Sequence, residues 1–531
     1  MASFLLSECL EKIFLNLLEY PSVNIRIYTS TKDLYSCTLV SRHWCRISTP
    51  FLYEYPFHHF RHLSYPNITY FKLIRTLLSC IPKSEIEQII LSNFSIKQKL
   101  YYKPKSLDIS TTFNYTTFIR GLIFSDLSEP LLFFYRKIWL PPYIPDSNNI
   151  KNDQFSKISI PIMNHLVNFL CKHCNNLRTL EFPFRVQNNK LFNSTIELLT
   201  NKDCVEKSKL SDLKELFYIN RSNEITLSTK DFYSTLSSNI SKLDLLYNEG
   251  INSLEKVNSL SQFISLQKNL RHIILSEPKY GSMLYNIEHY NIIFNSLTTQ
   301  NESLKALEFK YLSFSGIDEM ALNSLCSLKN IKELKLYNCR KIDNNLNAWA
   351  KKLTILEDFE YVAYYYASIS EDFLDQIIKS SSTTLTKFAI KFKRSDNQQS
   401  IFQQIPLYLN LLTYLVLPKV CPDELISIFK SCTKLVYISV KLSESIDLSW
   451  GENFKNLGKF IPKNLQRIHF KDIDKEYMFD SNALRLFFKD CKYKDGKLKF
   501  LRIKGKLILS QDYFDVASEF GIKLINKRKL Y

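Results

Sequence analysis

The most constraining feature of this sequence is a short apolar pattern that keeps returning. Written L-x-x-L-x-L, with Ile, Phe, Val or Tyr allowed at each L, it occurs at Leu177-Leu180-Phe182, Leu213-Leu216-Tyr218, Ile240-Leu243-Leu245, Leu270-Ile273-Leu275, Leu304-Leu307-Phe309 and Ile331-Leu334-Leu336. It continues at Leu356-Phe359-Tyr361, Leu385-Phe388-Ile390, Leu412-Leu415-Leu417, Leu435-Ile438-Val440, Leu465-Ile468-Phe470 and Leu498-Leu501-Ile503, with Ile119-Leu122-Phe124 as an earlier member. From Leu177 onward the intervals are roughly 23 to 36 residues, which is the spacing of a structural repeat. The alternation at the end of each copy predicts a short strand with its apolar side chains on one face. Amphipathic stretches between copies, such as Asp318–Leu328, predict helices that return the chain. One strand and one helix cannot bury their own apolar faces, so neighbouring units must stack into a curved solenoid. At 531 residues the chain is also too long for one compact core.

The copy LKLYNCRKI, with Asn338 and Cys339 directly after the strand, resembles a leucine-rich repeat. That resemblance implies an α/β fold in which Asn or Cys turns the chain and satisfies buried backbone groups. Most other copies lack the Asn or Cys, so the expectation is an irregular leucine-rich-repeat solenoid over 116–531. The run Tyr513–Ile525 reads as a helix and strand capping it. Residues 61–115 read as a connecting helical segment, and the Pro-rich stretch Leu140–Pro161 as a surface loop.

The first sixty residues carry a different period. Leu10, Ile13, Phe14, Leu17 and Leu18 form a helical stripe, with Ser7 placed to cap it and Tyr20-Pro21 to stop it. Ser30 and Asp33 set up a second start. Leu34, Cys37, Val40 and Ser41 follow on one face, Trp44 and Ile47 on the next turns, and Pro50 ends the run. Helices this short leave an apolar face that wants a partner.

The residues Leu5-Leu6-Ser7-Glu8-Cys9-Leu10, Ile13-Phe14, Leu17, Asp33-Leu34, the block LVSRHW ending in Trp44, and Phe51-Leu52-Tyr53 resemble an F-box. That resemblance implies a small all-α module over 1–60 that docks a Skp-family adaptor, and through it a cullin, in an SCF-type ubiquitin ligase. Leu5, Glu8, Leu10, Ile13, Phe14, Leu17, Leu34, Val40 and Trp44 are the docking residues it implies, with Trp44 mainly structural. Two positions depart from the family: Leu6 stands where members commonly have Pro, and the connection Glu19–Lys32 is longer than usual.

The composition narrows the function classes. Nine glycines, with no G-x-G-x-x-G and no G-x-x-x-x-G-K-[ST], leave no phosphate-cradling loop. Neither G-x-S-x-G nor H-E-x-x-H is present. The pair Cys171 and Cys174 lacks a second pair at zinc spacing and reads as buried thiols, and His43, His58, His59 and His62 read as surface or packing residues. The expectation is therefore a non-catalytic receptor subunit with no metal and no cofactor. Glu8, Glu11 and Lys12 interrupt what would otherwise pass for a signal peptide, and no apolar run spans a membrane. Twelve scattered cysteines read as reduced thiols, so a cytoplasmic or nuclear location is expected.

A net charge of +18 needs a place on the fold. The residues between the inward apolar positions of each copy point to the concave face. There, early and middle copies place Glu181, Glu215, Glu308, Glu333, Asp358 and Glu360. Later copies place Lys387, Lys391, Lys441, Arg467, His469, Lys471, Arg502 and Lys504, with aromatic Tyr337, Tyr414, Tyr437 and Phe500 alongside. The face is expected to change sign along the array, and its basic aromatic part to bind an acidic or phosphorylated segment of a target protein. Two competing readings are a nucleic-acid-binding basic solenoid using the tail Lys527-Arg528-Lys529, which no nucleic-acid motif supports, and an F-box scaffold outside any ligase.

Overall fold

The structure is a computed structural model that describes residues 5–18, 27–57, 68–93, 113–123, 138, 152–174, 177–182, 210, 212–220, 233, 236–247, 254–277, 287–364, 369–392, 399–442, 450–473, 480–493, 496–505 and 509–528. It divides into two compact units, Met1–Asn252 and Ser253–Tyr531.

The first unit opens with helices α1 (Ser7–Leu18), α2 (Ile27–Thr38) and α3 (Arg42–Glu54). Leu10, Phe14 and Leu34 close its interior, with Leu17, Cys37, Trp44, Ile47, Phe51 and Leu52 packed around them. The string Val40-Ser41-Arg42-His43-Trp44 has a local cause. Ser41 sits in extended backbone, and its Oγ accepts a hydrogen bond from the Trp44 N–H at 3.2 Å, capping α3. The indole of Trp44 then meets the Phe14 ring edge-on, centroids 5.7 Å apart.

Two boundaries differ from the sequence expectation. Helix α2 begins at Ile27 rather than at Ser30 or Asp33, leaving only 19–26 of the long connection outside the described residues. Helix α3 runs through Pro50 to Glu54 instead of stopping there. Ser48 and Thr49 return their hydroxyls to the carbonyls of Trp44 and Cys45, and the apolar Phe51 and Leu52 hold the last turn against the core.

Helices α4 (Ile68–Leu78) and α5 (Lys83–Asn93) follow, then strand β1 (Gly121–Ile123), helix α6 (Asn152–His173) and strands β2 (Thr179–Phe182), β3 (Glu215–Asn220) and β4 (Lys242–Tyr247). The strands pair in parallel in chain order. Part of the stretch read as a Pro-rich loop is helical: α6 passes through Pro161, while 139–151 lie outside the described residues. A proline inside a helix costs about 3 kcal/mol. Ile158, Ile162, Leu166 and Leu170, a buried stripe at every fourth residue, offset that cost by burying their side chains. Cys171 and Cys174 are buried at the end of this helix.

The second unit alternates helices and strands: α7 (Leu254–Ser265), β5 (His272–Ser276), α8 (Ile287–Ser296), β6 (Ala306–Lys310), α9 (Glu319–Ser327), β7 (Glu333–Tyr337), α10 (Asn347–Lys352) and β8 (Asp358–Ala363). Then come α11 (Glu371–Ser380), β9 (Lys387–Phe392), α12 (Gln399–Tyr408), β10 (Tyr414–Val420), α13 (Pro422–Ser431), β11 (Tyr437–Leu442), α14 (Trp450–Leu457) and β12 (Arg467–Ile473). Helix α15 (Ser481–Tyr493), β13 (Phe500–Gly505), α16 (Gln511–Glu519) and β14 (Lys523–Arg528) follow. From β5 to β14 each strand pairs in parallel with the next, without a register slip at the repeat motif.

That constant register turns the sequence pattern into columns. Leu307, Leu334, Phe359, Phe388, Leu415, Ile438, Ile468 and Leu501 are aligned across successive strands and buried. A second buried column, two residues on, runs from Phe309 to Ile503. The helices close over these columns, and polar side chains tie neighbours together. The amide of Gln300 donates to the carbonyls of Ile264 and Gln267, both at 2.9 Å, satisfying groups at the end of the preceding helix.

The turn after β7 behaves as Asn338 and Cys339 suggest. Asn338 takes a left-handed backbone, φ 53°, and its Oδ1 accepts from the Tyr364 N–H at 2.7 Å. Cys339 is buried, and its Sγ donates to the carbonyl of Phe309 at 3.2 Å. One turn thus satisfies backbone groups of the strand before it and of the chain leaving the strand after it.

Candidate functional site

Two surfaces collect the residues singled out from sequence. The first lies on α1 to α3, and the proposed docking set divides there. Leu10, Phe14 and Leu34 have no exposed surface, so they are interior positions and cannot touch a partner; this corrects their assignment as contacts. Leu17 and Trp44 are half-buried against the same core. Glu8 is exposed. What remains in water is apolar: Leu5 at 37% exposure, Leu6 at 69%, Ile13 at 39%, Leu39 at 71% and Val40 at 53%. His43 Nε2 lies 3.2 Å from the Leu5 carbonyl, which brings the chain before α1 to the start of α3, beside the turn that carries Leu39 and Val40. Leu6 and Leu39 escaped the sequence assignment, although Leu39 stands next to Val40 in the most recognisable block.

The second surface is the strand face of the second unit that carries the residues between the buried columns. Register places Glu333, Asp358, Lys387, Tyr414, Tyr437, Arg467 and Phe500 in one row. A second row holds Glu308, Lys335, Glu360, Ala389, Val416, Ser439, His469 and Arg502. Lys441, Lys471 and Lys504 form the corresponding positions of a third.

The β6 to β9 part of this face is not acidic. Lys310 and Lys335 stand on it with the carboxylates, and sequence reasoning omitted them although the alternation that places Glu308 and Glu333 places them too. Lys310 bridges to Glu308 at 2.8 Å and Lys335 to Glu333 at 3.0 Å. Burial opposes ionisation of Glu333, but the hydrogen bond and charge of Lys335 outweigh it and hold the carboxyl below its ordinary value. Lys387 pairs with Asp358 at 3.6 Å and Lys391 with Glu360, so these two lysines belong to a self-neutralising network rather than to a basic strip. Tyr337 donates its hydroxyl to Glu360 at 2.9 Å, and burial together with the Glu360 and Glu308 charges pushes its phenol far up.

The middle of the face is apolar and aromatic. Ala389 and Val416 are buried, and the rings of Tyr414 and Tyr437 stack. Beyond them β11 to β13 carry Lys441, Arg467, His469, Lys471, Arg502 and Lys504. The Arg467 guanidinium lies over the Phe500 ring, 5.1 Å from its centroid. Among the described residues Arg467, Arg502 and Lys504 have no carboxylate partner, and the buried Nε of Arg502 and Nε2 of His469 have no hydrogen-bond partner. His469 Nδ1 lies 3.3 Å from Ser439 Oγ. Burial, then the positive charges of Lys471, Arg502 and Lys504, push this imidazole down to about 4. It is therefore neutral at pH 7, which corrects its place among the cations.

Among the described residues no group of three or more His, Cys, Asp or Glu side chains gathers as a metal site, and no helix is long and apolar enough to cross a membrane. Of the tail Lys527-Arg528-Lys529, the first two end β14 and Lys529 lies outside the described residues, as do His58, His59 and His62.

No protein-family model matches the chain, and no curated protein matches it in sequence. Among solved structures, a chain from the crystal structure of the Rad7 and Elc1 complex in yeast aligns with 70% of this chain and 96% of its own length. The identity is 13% and the TM-score 0.35, a likeness too slight to carry an argument about fold or function.

Proposed function

We propose that this chain is the substrate-recognition subunit of a cullin-based ubiquitin ligase of the SCF type. In this reading α1 to α3 dock a Skp-family adaptor, and the strand face of the second unit holds a target protein. The chain contributes no catalytic group. It supplies proximity, raising the local concentration of target lysines near a ubiquitin-charged enzyme carried by other subunits. Its expected place is the cytoplasm or the nucleus.

The observation that carries the reading is the set of aliphatic side chains left in water on a module whose interior is already filled. Leu5, Leu6, Leu39 and Val40 converge through the His43–Leu5 contact, and Ile13 adds to them from α1. Exposed apolar side chains gathered in one place mark an interaction surface. The resemblance of Leu5–Trp44 to an F-box names the partner that would cover them.

The test is capture of the purified full chain by an immobilised Skp-family adaptor, compared with the variants Ile13→Asp and Val40→Asp. Both positions are exposed, so both variants should keep the wild-type circular dichroism while losing capture. An unmutated chain that is folded and yet not captured would remove the receptor reading.

A further inference from the structure

We infer that a cleft at the helix ends of α13 to α15 binds an acidic segment of a partner polypeptide that also carries an aromatic side chain. The site lies apart from α1 to α3 and from the strand face, so the inference goes beyond the receptor reading and stands without it.

Its origin is visible in the sequence. Three consecutive copies set an aromatic residue beside a lysine where the helix gives way to the next strand. These are Phe429-Lys430 in the last turn of α13, Lys459-Phe460 in the turn after α14, and Lys492-Tyr493 at the end of α15. The copy before them ends α12 in Leu407-Tyr408, with no lysine. Stacking of neighbouring copies brings the three ends side by side. Gly458 makes the approach close enough. A Cβ there would lie 2.5 Å from the Phe487 carbonyl oxygen, so glycine lets the turn that carries Phe460 settle against α15.

The result is a cleft of about 550 Å³, within the range of ligand pockets. Buried Phe429, Ile461 and Pro462 give it an apolar lining, with Phe460 half-buried beside them. Tyr493 also lines it, yet that residue is 92% exposed. An aromatic ring left in water beside an apolar hollow is the kind of anchor that carries binding energy at protein interfaces.

Two cations line the same hollow. The Lys430 ammonium is held over the Phe460 ring, 4.6 Å from its centroid, which fixes a positive charge at the wall. Lys463 supplies the second. No carboxylate is among the described residues that line the cleft, and Asp490 of α15 faces Gly458 outside it. A matching ligand therefore brings negative charge together with an apolar body.

Backbone polarity decides which kind of ligand. At the C-terminal end of α13 the carbonyls of Phe429 and Lys430 receive no backbone N–H among the described residues, because the Thr433 N–H turns back to the Ser431 carbonyl at 3.1 Å. Free carbonyls at the negative end of a helix accept N–H donors and disfavour a compact dianion. Phosphate groups seek the opposite end of a helix. An extended polypeptide supplies every complement at once: N–H groups for the carbonyls, a Glu or Asp side chain for the lysines, and a ring for the hollow. A nucleotide supplies charge and ring but meets acceptors where it needs donors.

Fluorescence anisotropy of the full chain tests this with labelled nonapeptide pools that fix Glu-Phe-Glu at the centre and randomise the flanks. Control pools fix Gln-Phe-Gln and Glu-Ser-Glu, and ATP and a twelve-nucleotide oligothymidylate serve as unlabelled competitors. The Glu-Phe-Glu pool should bind at least about tenfold more tightly than either control pool and should resist both competitors. Lys430→Gln, Lys463→Gln and Tyr493→Ser should each weaken it by about tenfold with unchanged thermal unfolding, since all three positions are exposed. Arg502→Ala, on the strand face, should leave it unaffected.

Equal binding of the Glu-Phe-Glu and Gln-Phe-Gln pools, full affinity in the Lys430→Gln/Tyr493→Ser double variant, or binding by none of the pools would each overturn the assignment. Displacement by ATP or oligothymidylate would overturn it in favour of a phosphate-bearing ligand. Binding lost in Arg502→Ala and kept in Lys430→Gln would move the peptide to the strand face and remove the cleft as its site.

Discussion

Tyr414 and Tyr437 lie face to face, ring centroids 4.6 Å apart and planes 8° from parallel, at paired positions on β10 and β11. The pair divides the ion-paired part of the strand face from the cations carried by β12 and β13. Burial, reinforced by the neighbouring Tyr437, pushes the Tyr414 phenol well above its ordinary value, so that ring stays neutral across the physiological range. An aromatic pair contributes about 0.5–1.5 kcal/mol beyond the area it buries. Replacing each tyrosine by Leu, singly and together, should return a coupling energy of about 1 kcal/mol in a double-mutant cycle measured by chemical denaturation. A coupling near zero would mean that the rings merely share a buried place.

The left-handed turn at Asn338 allows two costs to be separated. Asn338→Gly keeps the backbone conformation and loses the hydrogen bond to the Tyr364 N–H; Asn338→Ala loses both. The Ala variant should be the less stable by about 1 kcal/mol, with the Gly variant between it and wild type. Denaturant midpoints of the three proteins check the order. An Ala variant as stable as the Gly variant would show that the conformation at this turn is not under strain.

His469 predicts a pH dependence whose sign is fixed. In the unfolded chain an ordinary imidazole takes up a proton as the pH falls through about 6.5. In the folded chain His469 resists until about 4, because burial and the charges of Lys471, Arg502 and Lys504 oppose it, while its contact with Ser439 is neutral. The unfolded state therefore binds more protons between those values, and stability at this site is full above the upper one and lost as the pH falls toward the lower. His469→Gln should flatten that slope. Unfolding free energies at pH 7 and pH 5, wild type against variant, provide the measurement, and parallel slopes would remove His469 as the source.

On the N-terminal module, substitutions should sort by burial rather than by closeness to the motif. Phe14→Ala removes a fully buried ring that touches Trp44 and Phe51, and should cost about 3–5 kcal/mol locally. Amide exchange in α1 to α3 would reveal that loss, together with a red shift of Trp44 emission. Ile13→Asp, one residue away and exposed, should leave both observables unchanged. Matching losses in the two variants would contradict the interior described for this module.

The strands were the most legible part of the sequence, for a physical reason. A residue in the buried columns must be apolar on every strand, so Leu334 and Leu336 announce β7 and Ile468 and Phe470 announce β12 without reference to anything distant. Helix α6 was hidden by Pro161, because local propensity was overruled by a buried stripe visible only once the helix is drawn through it. The charge pattern misled for another reason. Glu308 and Glu333 are evident one strand at a time, but their neutralisation by Lys310 and Lys335 emerges only when the alternation is applied to every residue of a strand. Leu10 and Phe14 lie on the same apolar stripe as Ile13, and periodicity alone does not say which side of a stripe a neighbouring helix will cover.

The constant register of the second unit bears on how such a chain can change over generations. Strand partners are never far apart in sequence: Glu333 meets Asp358, 25 residues on (358 − 333), and Arg467 meets Phe500, 33 residues on (500 − 467). Because each ladder contact involves only the adjoining copy, duplicating or deleting one strand with its helix leaves the remaining pairings as they were. Length is consequently a cheap variable for this architecture, and the distance between the tyrosine stack and the cation cluster is a dimension that such events would alter by whole strand spacings.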